Sequence, residues 1–84
     1  MSTTNEVRLG KKLAEMYNNA PYGDSVAMIH LFGIRYADEI AENDANTAEI
    51  IKCARIQDSY RTELSKGIKL SQYVVDKEKI KALL

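Results

Sequence analysis

Apolar residues along most of the chain recur at intervals of three and four positions, which is the spacing of one face of an α-helix. The alternation of apolar and polar residues that is typical of strands does not persist anywhere in the sequence. The pattern therefore predicts an all-α fold of four to five short helices, with at most a short strand near residues 68–75. The two clearest helical stripes are Val26, Ile29, Gly33, Tyr36 and Ile40, and Leu9, Leu13, Met16 and Ala20.

Capping residues indicate where these helices begin. Thr3 and Glu6 have the spacing of a capping box, which predicts that the first helix starts beside Thr3. A turn at residues 20–23 separates it from the second helix, at about 25–41. The N-caps predicted for the later helices are Asp24 or Ser25, Asn46 or Thr47, Asp58 with Ser59, and Asp76.

Glycines and charges inside the helices add three local expectations. Gly33 lies in the apolar stripe, so it marks either a close approach of another helix or a break between two shorter helices. Gly67 is predicted to end or kink the fourth helix, and Arg35 can pair with Glu39 at the i,i+4 spacing. The core is expected to contain Leu13, Ile29, Tyr36, Ile40, Ile50 and Leu64.

The composition indicates a small globular protein. The chain has 84 residues, of which 45% are hydrophobic and 29% charged, and this length predicts a single domain over residues 1–84. No run approaches the 18 apolar residues that a membrane-spanning helix needs, and the first ten residues are polar. We therefore expect a cytoplasmic protein without a membrane partner.

The charges balance over the whole chain but not along it. Twelve Lys and Arg residues offset twelve Asp and Glu residues, which argues against a strongly basic, histone-like protein. Residues 1–51 hold four basic and eight acidic residues, a charge of −4, whereas residues 52–84 hold eight basic and four acidic residues, a charge of +4. The C-terminal part is therefore the basic part of the molecule.

The residue types that carry catalysis and metal binding are scarce. A single cysteine, Cys53, excludes an internal disulfide, and a single histidine, His30, makes a histidine-based metal site or a catalytic triad unfavourable. The carboxylates between residues 38 and 44 lack the spacing of a calcium loop. We therefore expect no enzyme activity, no metal site, no cofactor and no small-molecule substrate.

Residues 47–69 resemble a helix-turn-helix. The residues that match this motif in order and spacing are Thr47, Glu49, Ile50, Ala54, Ile56, Ser59 and Leu64. The sequence departs from the motif at Arg55, where glycine is usual in the turn, at Ile51, where a small residue is usual, and at Arg61, where an apolar residue is usual. A shifted turn that points Tyr60 inward would fill the place left by Arg61.

The chain as a whole is similar to a family of small bacterial helix-turn-helix-like domains. The similarity covers about residues 12–75 and is carried by IHLFGIRYADEI at Ile29–Ile40 and by the segment from Ser59-Tyr60 to Tyr73-Val74. It implies a non-catalytic protein of restriction-type or other DNA-directed systems.

The resemblance and the basic C-terminal part favour a non-catalytic DNA-binding domain or accessory subunit that contacts duplex DNA through the helix at about 59–70. Arginine can contact guanine edges, and Lys, Ser and Thr suit phosphates. Glu63 opposes this function if it points the same way. The predicted contacts are Arg61, Lys66 and Lys69, with Ser65 and Thr62 beside them and Arg55 and Lys52 reaching the flanking backbone.

The alternative is a protein-interaction or oligomerisation module. In that case the apolar stripe of the helix at 25–41 would face a partner protein or a second copy of the chain. Neutral net charge and the atypical turn favour this alternative.

Overall fold

The structure, a computed structural model, describes residues 2–83 and is helical over 74% of them. No strand occurs in this part of the chain. Residues 71–73, within the range where the sequence allows at most a short strand, form a turn. The predicted all-α fold of four to five helices is confirmed. The helices are α1 (Thr4–Asn18), α2 (Ser25–Glu42), α3 (Thr47–Ala54), α4 (Arg61–Leu70) and α5 (Lys77–Leu83), with a 3-10 helix at Asp58–Tyr60.

The core lies between two helix pairs. α2 packs mainly on α4, α1 packs mainly on α3, and contacts between α1 and α2 join the pairs. Five of the six predicted core residues are buried, whereas Tyr36 is half-buried and packs against the core with its ring centroid 4.9 Å from that of Phe32. The buried core comprises Leu9, Leu13, Ile29, Phe32, Ile40, Ile50, Ile51, Ala54 and Leu64.

The capping box at the start of α1 is present. The Thr3 hydroxyl accepts a hydrogen bond from the Glu6 amide, and the Glu6 carboxylate accepts one from the Thr3 amide at 2.9 Å. The second carboxylate oxygen of Glu6 accepts a hydrogen bond from the amide of Asn46 at 2.6 Å. Asn46 is itself the N-cap of α3, so one buried carboxylate joins the starts of two helices.

Two glycines allow α2 and α4 to cross at close range. A Cβ atom on Gly33 would lie 2.7 Å from the amide nitrogen of Ile68, and one on Gly67 would overlap the carbonyl oxygen of His30. Of the two interpretations of Gly33, close approach is therefore correct, since α2 continues unbroken through this position. Gly67 does not end α4, because this glycine lies inside the helix and faces α2.

The ion pairs differ from the predicted one. Arg35 donates from Nε to the Asp76 carboxylate at 2.6 Å, whereas Glu39 pairs with Arg8 at 2.9 Å. Asp76 is almost fully buried and also accepts a hydrogen bond from the Glu78 amide, as expected of a residue that caps α5. The contact between Arg35 and Asp76 thus attaches the segment before α5 to α2.

The apolar stripe of α2 belongs to the core of the chain itself. Ile29 and Ile40 are buried, Gly33 contacts the α4 backbone, and Tyr36 is half-buried, so that only Val26 is exposed. The alternative in which this stripe binds a partner is therefore wrong, since the stripe is covered by α4 and the other core helices. No helix within residues 2–83 is long and apolar enough to cross a membrane.

Candidate nucleic-acid interface

α3, the following turn and α4 form two helices joined by a short connection, which is the arrangement of a helix-turn-helix. Arg55 ends α3 with φ 59° and ψ 40°, the left-handed conformation in which glycine is usual. Ile51 is buried between the helices despite its size. The atypical residues therefore change the local packing but leave the two-helix arrangement in place.

The chain enters α4 through the 3-10 helix. Ser59 does not cap α4, which begins two residues later than predicted, at Arg61. Tyr60 turns toward the core and packs against Tyr17, with 5.7 Å between the ring centroids. Tyr60 therefore fills the inward position that an apolar residue usually occupies in this motif, and Arg61 is exposed.

The two faces of α4 differ sharply in residue type. Leu64 and Gly67 are buried against the other helices, and Ile68 is half-buried beside them. The opposite face, here called the α4 face, is formed by the exposed residues Arg61, Thr62, Ser65, Lys66 and Lys69. All five are predicted DNA contacts, and the other two predicted contacts, Lys52 and Arg55, are also exposed, at the end of α3 and in the turn.

Glu63 is held against α2. Its Oε2 atom lies 2.6 Å from Nε2 of His30, and its Oε1 atom accepts a hydrogen bond from Lys66 at 3.2 Å. The side chain is only 23% exposed. Two hydrogen bonds hold the pKa of Glu63 below its ordinary value. The contact with His30 has the larger effect, and the contact with Lys66 has the smaller one. Glu63 is thus held between a ring nitrogen of His30 and the ammonium group of Lys66.

Arg61 of the α4 face makes only a weak ion pair. Arg61 lies 3.9 Å from the exposed carboxylate of Asp58, the long end of the range for an ion pair. Such an exposed contact contributes less than about 1 kcal/mol, so the guanidinium can exchange it for another anion.

Two features near this face were not predicted from the sequence. The pairing of His30 with Glu63 joins residues 33 positions apart, and no local pattern indicates it. The second feature is an apolar groove of about 340 Å³ lined by Lys66, Lys69, Leu70 and Tyr73. Its signal was present in the sequence, since these four residues have the spacing of one helical face.

A family profile described as an HTH-like domain matches residues 5–77. The chain belongs to this HTH-like domain family. The match runs from the second residue of α1 through the end of α4, so the resemblance inferred from residues 47–69 is confirmed at the level of the family. None of the curated proteins and none of the solved structures compared with the chain matches it.

Proposed function

We propose that this HTH-like domain binds duplex DNA, with the α4 face in the major groove and Lys52 and Arg55 beside the flanking backbone. The observation that carries the proposal is the charge of the α4 face. Arg61, Lys66 and Lys69 are exposed together on the second helix of the two-helix unit, while the carboxylate of Glu63 is drawn toward α2.

Each residue of the α4 face has a contact that suits its chemistry. Arg61 can donate to a guanine edge or a phosphate, and the ammonium groups of Lys66 and Lys69 suit phosphates. The hydroxyls of Thr62 and Ser65 donate short neutral hydrogen bonds between these cations. The role is non-catalytic in this proposal, and the association with restriction-type systems stays a prediction from the resemblance.

The test is a titration of a labelled duplex of mixed sequence at about 50 and about 200 mM salt. The unmodified chain is expected to bind, with an affinity that falls by about 0.9 log units per log unit of salt for each phosphate contact. Replacement of both Arg61 and Lys69 by Ala is expected to weaken binding by about tenfold or more and to reduce the salt slope by up to about 1.8.

The matched control is the double variant Lys11→Ala with Lys12→Ala. It removes the same charge from exposed positions of α1, outside the two-helix unit. It is expected to change binding by less than about twofold, because both lysines lie on a helix outside the proposed DNA-contact residues. Equal losses in the two double variants, or no binding by the unmodified chain at the lower salt, would overturn the proposal.

A further inference from the structure

The C-terminal part of the chain exposes an unusual amount of apolar surface. Nine large hydrophobic residues are exposed within residues 2–83, and six of them lie between positions 70 and 83. These six are Leu70, Tyr73, Val74, Val75, Ile80 and Leu83. Exposed apolar residues concentrated in this way mark an interaction site more often than those that are scattered singly.

Part of this surface is concave. Leu70 and Tyr73 line the groove beside α4 and are 43% and 76% exposed. Lys66 and Lys69 line the same groove one helical turn earlier. The site therefore combines apolar contact area with two ammonium groups, and this combination, hereafter the Leu70–Tyr73 groove, determines what can fill it.

Charge complementarity selects the occupant. A second copy of the chain with two-fold symmetry would bring the lysines of one groove against those of the other, which is unfavourable. Phosphates of DNA satisfy lysines but offer little apolar surface to Leu70 and Tyr73. A flat bilayer matches a concave groove poorly, and the neighbouring α5 has only seven residues.

We propose that the Leu70–Tyr73 groove binds an acidic, amphipathic segment of a partner protein. An aliphatic or aromatic anchor of that segment packs on Leu70 and Tyr73, and a neighbouring Asp or Glu pairs with Lys66 or Lys69. Burial of an anchor in a pocket with charged groups at its edge is how helical peptides are commonly recognised.

Such a partner would compete with DNA, because Lys66 and Lys69 belong to both the groove and the α4 face. This competition rests on the proposed DNA-binding function, whereas peptide binding in the groove does not. The two proposals can therefore fail separately.

The experiment is a selection of displayed random dodecapeptides on the immobilised full chain. Enriched peptides are expected to contain a large apolar residue close to Asp or Glu. Their synthetic forms are expected to bind the double variant Leu70→Ser with Tyr73→Ser about tenfold more weakly or worse. The matched control is Tyr22→Ser, at a fully exposed tyrosine in the turn before α2, which is expected to keep full binding.

Several results would overturn the groove proposal. These are the absence of enriched peptides, enriched peptides without acidic residues, equal binding to the double variant, and tighter binding to vesicles of anionic lipid than to any peptide. The labelled duplex serves as a separate arm. Displacement of DNA by the peptide supports the shared use of Lys66 and Lys69, and simultaneous binding of both contradicts it while leaving the groove proposal intact.

Discussion

Glu63 affects the charge of the α4 face, although only 23% of its side chain is exposed. It is the one acidic residue in the sequence of α4, and a freely extended carboxylate there would repel phosphate. The contact with His30 at 2.6 Å keeps it close to α2. Glu63 also accepts a hydrogen bond from Lys66, three positions later in α4. The direction of Glu63 could not be inferred from the sequence, because His30 lies on a different helix.

This arrangement predicts that Glu63→Gln raises the affinity for duplex DNA. Glutamine has nearly the same shape and keeps one acceptor oxygen, which can face Lys66, while it removes a negative charge near the α4 face. A unit charge about 8 Å from a phosphate in water is worth roughly 0.5 kcal/mol, so the expected increase is about two- to threefold at low salt. The measurement is the same duplex titration.

The control for this prediction is Glu42→Gln. It changes the net charge equally but lies at the end of α2, twelve residues and roughly 18 Å along the helix from His30. We expect a change of less than about twofold there, because salt screens charges at that distance. If both variants raise the affinity equally, net charge and not the position of Glu63 is responsible.

At the scale of elements, α2 and α4 can cross at close range because Gly33 and Gly67 have no side chains. The sequence predicted the position on α2, because Gly33 interrupts an otherwise apolar stripe. It could not identify Gly67 as the partner, because glycine near the end of a helical pattern also signals a helix end. Only the packing of the two helices distinguishes these roles.

Replacement of Gly67 by Ala is therefore expected to destabilise the chain. Alanine favours a helix by about 1 kcal/mol over glycine, but its Cβ would overlap the carbonyl oxygen of His30, which is backbone and cannot rotate away. Overpacking of this kind commonly costs about 1–3 kcal/mol, so after the gain in helix propensity we expect a net loss of up to about 2 kcal/mol. Urea denaturation measures the free energy of unfolding.

Ser65→Ala, on the exposed face of the same helix, is the comparison. It adds helix propensity without entering a contact, so its denaturation midpoint should stay the same or rise slightly. A midpoint for Gly67→Ala as high as that of Ser65→Ala would show that α2 and α4 do not cross as closely as described.

At the scale of the whole molecule, the three carboxylates with lowered pKa values within residues 2–83 each join elements that are distant in sequence. Glu6 links the starts of α1 and α3, Glu63 links α4 to α2, and Asp76 links the segment before α5 to α2. The helices and most of the core followed from local periodicity and caps. These links did not, because their partners lie between 33 and 41 residues away, where neither spacing nor propensity selects one carboxylate over another.

The three links also predict how the molecule responds to acid. Amide hydrogen bonds from Thr3 and Asn46 lower the pKa of Glu6, the His30 contact lowers the pKa of Glu63, and Arg35 lowers the pKa of Asp76. A carboxylate with a lowered folded pKa binds fewer protons in the folded than in the unfolded chain, so folding is favoured while it is ionised.

Stability should therefore be highest above the ordinary pKa values of 4.5 for Glu and 3.8 for Asp, and it should fall as the pH drops through the lowered values. Asp76→Asn is expected to cost about 1–2 kcal/mol at pH 7, reduced from the value for a fully buried pair because Arg35 is partly exposed. It should also flatten the loss of stability in acid. Urea midpoints between about pH 7 and about pH 3 measure both effects, and Glu15→Gln, at an exposed position of α1, should leave the profile unchanged. Parallel acid profiles for Asp76→Asn and the unmodified chain would mean that the ion pair of Asp76 with Arg35 contributes nothing to folding.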